Sequence, residues 1–170
     1  MERYFTEFQG HLAVTNGRSA EERTEKMIQR VGLPIVPSYR EWVINKDTYP
    51  DVVVVKGMFY IVIEGEKNYS DFTIVERVNG EYLLTRIECR TQTTGGTVED
   101  KLFKVEYDSY HDRTHDRTVL LIYGSGVKET KLKALKGCAK TSNGKFMVVE
   151  PREFGYWLAH NYGALREKAV

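Results

Sequence analysis

Polar and apolar residues alternate on both sides of one dipeptide near the middle of the chain. The runs from Ser70 to Val78 and from Glu81 to Gln92 are rich in β-branched and aromatic residues, and Asn79-Gly80 separates them. Asn-Gly tolerates the two positive φ angles of a type I′ turn, so the pattern predicts a β-hairpin with a two-residue loop. In that register Val78 faces Glu81, and counting outward brings Asp71 opposite Glu88.

The rest of the chain carries shorter signals for helices and strands. Ser19 and Glu22 form a capping box for a first helix, which Gly32 and Pro34 stop. The further predicted elements are a structured loop or short helix at Ser38 to Val43, a pair of strands at Val52 to Val55 and Phe59 to Ile63 that leads into the hairpin, a helix from Thr97 to about Tyr107, a strand at Val119 to Tyr123, a helix from about Glu129 to Cys138, a strand at Phe146 to Val149, and a last helix from Pro151. Antiparallel strands followed by alternating strands and helices predict a mixed sheet with helices on both faces, which is a three-layer α/β/α sandwich.

Composition limits the classes of protein to consider. A chain of 170 residues that is 41% hydrophobic has enough material for one core. We therefore expect a single domain over 1–170, with a helix and an aromatic, proline-containing region in 1–50 and the main core in 51–165. The net charge of +1 provides no strong global field for nucleic acid or membranes. Cys89 and Cys138 lack metal-site spacing, and no membrane span or signal peptide is recognised, so the expected location is the cytoplasm.

The predicted hairpin gathers polar side chains on one face of the sheet. Asp71 lies opposite Glu88, and Arg90 and Gln92 follow on the same face because strand side chains alternate with period two. Two neighbouring carboxylates repel each other unless a proton or a cation lies between them. A hard divalent cation such as Mg²⁺, which takes one or two carboxylates plus water and phosphate, suits this pair. The alternative interpretation is a solvent-facing hairpin with scattered charges.

An ordered series of short motifs resembles the PD-(D/E)XK nuclease superfamily, the fold of restriction-enzyme cores. The series consists of Asp71-Phe72, Ile87 to Gln92, the break at Thr93 to Gly96, Val98 to Lys101, and the apolar strand and glycines of Val119 to Gly126. It is similar to a branch with an Asp-Phe strand, I-E-x-K-x-Q and a V-(D/E)-(D/E)-K helix start. The resemblance spans roughly Phe59 to His160 and implies a restriction-endonuclease-like αβββαβ core.

The resemblance also implies a chemistry. Asp71, Glu88 and the main-chain carbonyl of Cys89 would bind Mg²⁺, for which Mn²⁺ is expected to substitute, and the activity would be cleavage of DNA phosphodiester bonds. Arg90 stands where the family usually has lysine, and arginine stays protonated and cannot be a general base. Three alternatives follow. Arg90 itself supports a metal-driven reaction, Lys101 replaces Arg90 in its role as a relocated lysine, or catalysis is lost. Gln92 is a further candidate for contacting phosphate or water.

Several other assignments follow from the residues or from the family. Cleavage of both DNA strands needs two active sites, so a homodimer is expected. Lys128, Lys131 and Lys133 form a basic helix face that is able to meet phosphates, with a solvated face as the alternative. Asp51 is a weaker metal-ligand candidate, and His111 and His115 are interpreted as part of a mixed-charge loop. Two other functions stay open, namely a nucleic-acid-binding relative without catalysis and a protein-interaction module that uses the aromatic N-terminal third.

Overall fold

The structure is a computed structural model that describes residues 20–62, 65–91 and 98–163. Ser19, Gln92 and the predicted helix cap at Thr97 lie outside these residues. The described helices are α1 (Ala20–Val31), α2 (Tyr39–Asn45), α3 (Val98–His111), α4 (Glu129–Thr141) and α5 (Pro151–Tyr162). The described strands are β1 (Ile35–Val36), β2 (Val52–Lys56), β3 (Phe59–Ile61), β4 (Lys67–Tyr69), β5 (Phe72–Val78), β6 (Glu81–Thr91), β7 (Arg117–Tyr123) and β8 (Phe146–Val149).

Six strands form a mixed sheet in the order β1-β2-β5-β6-β7-β8. β5 is antiparallel to both of its neighbours, β2 and β6. The pairs β1–β2, β6–β7 and β7–β8 are parallel. Parallel strands need crossover connections, and α2, α3 and α4 lie in those between β1 and β2, β6 and β7, and β7 and β8. The predicted α/β sandwich with a mixed sheet is confirmed.

The central hairpin has the predicted turn and register. Asn79 has φ 53° and Gly80 has φ 87°, the two left-handed conformations that a type I′ turn requires. Val78 pairs with Glu81 and Phe72 pairs with Ile87, so the next position outward brings Asp71 to Glu88. The turn therefore sets which side chains meet at the far end of the hairpin.

The predicted pairing of the two strands before the hairpin is wrong. β2 pairs with β5, for example Val52 with Glu76, whereas β3 pairs with β4 in a separate two-stranded sheet. Gly57, with φ 62°, turns the chain away after β2. All four valines of β2 are buried, which is typical of a strand that is covered on both faces of the sheet. Its second partner is β1, which is too short to give a periodic signal.

Helices cover the two faces of the sheet differently. On one face, Ile28 of α1 and Phe154 of α5 pack on residues such as Ile74 and Leu121. On the other face, α2 covers the part around β2 through Trp42, while α3 and α4 cover the part around β7 and β8. The middle of β5 and β6 on this second face lies between these two apolar clusters. None of the described helices is long and apolar enough to cross a bilayer.

Candidate active site

Asp71 and Glu88 lie side by side at the end of the hairpin away from the turn. Asp71 immediately precedes β5, and the backbone N–H of Cys89 donates to its Oδ2 at 2.6 Å. This bond ties the Asp71 carboxylate to β6 next to Glu88. The predicted juxtaposition of the two acids is therefore present in the structure.

Arg90 bridges the two carboxylates. Its Nη1 donates to Asp71 Oδ2 at 3.2 Å, and its Nη2 donates to Glu88 Oε2 at 2.6 Å. Nη1 also donates to the carbonyl oxygen of Cys89 at 2.8 Å. The Arg90 side chain is 30% exposed, whereas that of Glu88 is 1% exposed. The guanidinium thus forms the solvent-facing side of the acidic pair.

Burial sets the electrostatics of the two acids. Desolvation raises the pKa of Glu88 to about 7, although Arg90 and Arg86 lower it in part. Desolvation also raises the pKa of Asp71, against the opposing effects of the Cys89 N–H and Arg90. Both carboxylates therefore hold a proton more readily than an exposed acid does.

Arg86 is a second arginine at this site, and sequence reasoning missed it. Its side chain is fully buried, with Nε 3.7 Å from Glu88 Oε1 and Nη1 3.3 Å from Asp112 Oδ2. Nη2 donates to the carbonyl oxygen of Val105 at 3.3 Å, and the guanidinium lies 4.0 Å from the ring centroid of Tyr60. The signal was available in the sequence, because period two places Arg86 on the same face as Glu88.

The loop after α3 is also part of this buried polar cluster. Asp112 accepts from His115 Nδ1 at 2.9 Å, and His115 Nε2 lies 2.9 Å from Thr73 Oγ1. Thr73 Oγ1 in turn lies 2.9 Å from Ser70 Oγ. Residues 112–116 form a loop of mixed charge, as the sequence indicates, but Asp112 and His115 are buried within it. Long-range packing against β5 and β6, rather than local composition, determines their environment.

The donor set fits a divalent cation that binds through oxygen. Glu88 Oε1 is buried and accepts no hydrogen bond within the described part of the chain. Two guanidinium groups, those of Arg86 and Arg90, pair with three carboxylates in this cluster. The carboxylates, which belong to Asp71, Glu88 and Asp112, therefore outnumber the guanidinium groups. Among the described residues, no three His, Cys, Asp or Glu side chains are grouped as metal ligands. Two carboxylates with a carbonyl and waters are nevertheless a usual environment for Mg²⁺.

Two further candidates among the described residues, Lys101 and Asp51, form no ion pair with the two acids. Gln92 is outside the described residues. Lys101 is exposed on α3 and forms no ion pair with Asp71 or Glu88, so the structure does not bring it in as a relocated lysine. Asp51 pairs with Arg77 at 2.8 Å near the turn end of the hairpin, away from Glu88.

The predicted basic face lies at the start of α4. Lys128 and Lys133 are exposed, and the ammonium group of Lys131 lies 5.4 Å from the ring centroid of Phe103. The amino end of α4 follows the carboxyl end of β7, which is the neighbour of β6. The three lysines therefore lie toward the same edge of the sheet as the carboxyl end of β6.

Comparison with known protein families gives a match over most of the chain. A family model described as a PD-(D/E)XK nuclease superfamily domain matches residues 12–161, which is most of the chain. The match begins well before Phe59, where the resemblance seen in the motifs starts. No curated protein and no solved structure matches the chain significantly.

Proposed function

Because the chain belongs to the PD-(D/E)XK nuclease superfamily, we propose that it is a divalent-metal-dependent endonuclease that hydrolyses phosphodiester bonds in DNA. Family membership indicates a nuclease that acts on nucleic acid. The choice of DNA, of internal bonds and of Mg²⁺ is our proposal. The observation that carries it is the position of Asp71 beside Glu88, whose Oε1 has no hydrogen-bond partner among the described residues.

The residues proposed to hold the cation are Asp71, Glu88 and the carbonyl oxygen of Cys89. Mg²⁺ is the expected ion, with Mn²⁺ as a substitute. A bound divalent cation supplies Lewis acidity toward the phosphate and lowers the pKa of water. The Cys89 N–H keeps Asp71 oriented toward β6, and Arg86 holds a positive charge beside the buried Glu88.

Arg90 is proposed to act on the substrate rather than as a base. It remains protonated at any working pH, so it cannot accept the proton of an attacking water. Its partly exposed guanidinium can orient a water and stabilise negative charge that develops on a phosphate oxygen. Cleavage of both strands of a duplex would require a homodimer with two such sites.

A second candidate function is nucleic-acid binding without cleavage. Arg90 is the observation that favours it, because its two Nη atoms already engage one oxygen of each carboxylate. If this arrangement persisted on DNA, it would leave fewer oxygens for a cation. The two candidates differ in whether Mg²⁺ is needed for any measurable effect on DNA.

Alanine substitution of the two acids tests the proposal. Asp71→Ala and Glu88→Ala should each lower Mg²⁺-dependent cleavage by at least about 100-fold, because each removes a ligand of the cation. The assay uses supercoiled, linear and branched DNA with Mg²⁺, Mn²⁺ or EDTA. Asp51→Ala and Glu81→Ala are matched controls at the other end of the hairpin and should cleave like the unmodified protein.

Arg90→Lys separates the two candidates. Lysine restores the residue type that the family usually has, so the variant should be at least as active as the unmodified protein. Cleavage that survives Asp71→Ala and Glu88→Ala would contradict the nuclease site. DNA binding without cleavage in Mg²⁺ or Mn²⁺, by the unmodified protein and by Arg90→Lys, would establish the second function instead.

A further inference from the structure

A cavity of about 470 Å³ lies at the carboxyl ends of β7 and β8. Ile122 of β7, Val148 of β8 and Leu132 of α4 contribute apolar walls, and Arg23 and Arg152 also line it. This volume falls in the range of small-ligand sites, which combine apolar walls with a few polar groups. No residue of the acidic site described above is among the residues that line the cavity.

The cavity lies next to the acidic site in the sheet. Arg90 of β6 pairs with Ile122 of β7, and the two strands are parallel. Neighbouring strands are about 4.8 Å apart, so the cavity lies one to two strands, or roughly 5–10 Å, from Arg90. A DNA strand in B-form geometry advances about 3.4 Å per nucleotide. A strand that is cleaved at Asp71 and Glu88 therefore reaches the cavity within about three nucleotides.

The cavity is lined by two arginines, Arg23 and Arg152, and by one described carboxylate, Glu150, so its charge favours an anionic ligand. Glu150, the carboxylate among the described lining residues, accepts from Lys136 at 3.1 Å and pairs with Arg152 at 2.8 Å. The guanidinium of Arg23 lies 5.9 Å from the ring centroid of Tyr123. Apolar walls beside two arginines match the chemistry of a nucleotide, which joins a flat, largely apolar base to a phosphate.

We propose that this cavity takes one unstacked nucleotide of the substrate strand, with the base between the apolar walls and a phosphate near Arg23 and Arg152. The inference rests on the proposed function, and it adds a substrate class to it. A base inside an intact duplex is covered by its neighbours and must leave the stack to enter a cavity. The protein should therefore bind and cleave single-stranded or frayed DNA in preference to intact duplex.

The test uses a variant that fills the cavity. Leu132→Trp places an indole in it, and Leu83→Trp makes the same change on the exposed, turn-proximal part of β6. The probe is a single-stranded oligodeoxynucleotide that carries a fluorescent adenine analogue and is titrated in EDTA. The unmodified protein and Leu83→Trp should bind it with a rise in fluorescence as the analogue unstacks. Leu132→Trp should bind at least about tenfold more weakly, without that rise.

A charge variant keeps the test valid if Leu132→Trp does not fold. The Arg152 side chain is 71% exposed, so Arg152→Gln should fold normally and weaken binding of the oligonucleotide severalfold. Arg77→Gln, which alters a partly exposed arginine near the turn, should leave that binding unchanged. Unchanged affinity in both Leu132→Trp and Arg152→Gln would overturn the proposal. So would binding of free deoxyadenosine monophosphate as tight as that of the oligonucleotide, since the cavity would then serve a mononucleotide.

The cavity and the nuclease site can fail separately. If the oligonucleotide requires an open cavity but no DNA is cleaved with Mg²⁺, the nucleotide cavity stands and the nuclease proposal falls. If cleavage depends on Asp71 and Glu88 but Leu132→Trp cleaves single strands and duplex like the unmodified protein, the nuclease stands and the cavity proposal falls.

Discussion

Glu88 is a carboxylate in an environment that opposes its charge. It is almost fully buried, and Arg90 and Arg86 are the described residues whose charges offset the cost of removing it from water. Its pKa near 7 means that proton release and cation binding occur over the same pH range. One residue of the hairpin therefore links the acidity of the solution to the state of the candidate site.

We expect Mg²⁺-dependent cleavage and Mn²⁺ affinity to rise with pH and to level off above about pH 8. Below a pKa of about 7, Glu88 holds a proton that competes with the cation, so each pH unit lost weakens binding by up to about tenfold. Calorimetric titration with Mn²⁺ at stepped pH measures this directly. Glu88→Gln should give weak binding with a flatter profile, and an unmodified protein with no pH dependence below pH 7 would contradict the assignment.

The fold holds its polar cluster through contacts between distant elements. Arg86 of β6 reaches Asp112 after α3 and Tyr60 of β3, while His115 reaches Thr73 of β5. Each of these groups is buried, so losing one leaves another without its partner. The cluster therefore contributes to stability as well as to the position of Glu88.

Arg86→Met should lower the free energy of unfolding by about 3–5 kcal/mol, because it leaves two carboxylates buried beside an uncharged side chain. Arg77→Met is the matched control, since its pair with Asp51 is exposed and should be worth no more than about 1 kcal/mol. Urea denaturation followed by circular dichroism measures both changes. Equal losses in the two variants would show that the Arg86 contacts add nothing beyond a surface pair.

The hairpin turn depends on a left-handed glycine. Gly80 has φ 87°, so Gly80→Ala should cost about 1–2 kcal/mol through backbone strain, although no atom of the described residues blocks the added methyl group. Gly137, inside α4, also has open space around it, and Gly137→Ala should stabilise the fold by about 0.5–1 kcal/mol. Thermal and urea unfolding of the two variants should therefore change in opposite directions. A shift of the same sign in both would contradict the predicted turn energetics.

At the scale of the whole molecule, the net charge of +1 is too small to attract DNA, so DNA binding depends on local clusters of basic residues. Replacing Lys128, Lys131 and Lys133 with alanine should weaken DNA binding and reduce the slope of log affinity against log salt by about 2–3, if each lysine meets one phosphate. Fluorescence anisotropy between about 50 and 200 mM salt measures that slope. Arg40→Ala with Lys46→Ala, which removes exposed charges near α2, should leave the slope unchanged. An unchanged slope in the triple variant would identify these lysines as a solvated face.

The sequence by itself determined the meeting of Asp71 and Glu88. A two-residue turn at Asn79-Gly80 and the period of two along each strand are local properties, so the register could be counted without knowing the fold. The apolar run of β7 and the proline that begins α5 were equally local signals. They were enough to predict the α/β sandwich and the series of motifs that resembles the nuclease superfamily.

Only the tertiary structure decided the features that depend on contacts between distant segments. It placed β2 between β1 and β5, put Asp112 and His115 beside the buried Arg86, and left Lys101 exposed. It also brought Arg23, Ile122 and Arg152 around one cavity. Hydrophobic periodicity reports which side of its own element a residue occupies, but not which other element packs there. That choice depends on how the helices and strands bury their apolar surfaces together, so it could not be counted along the chain.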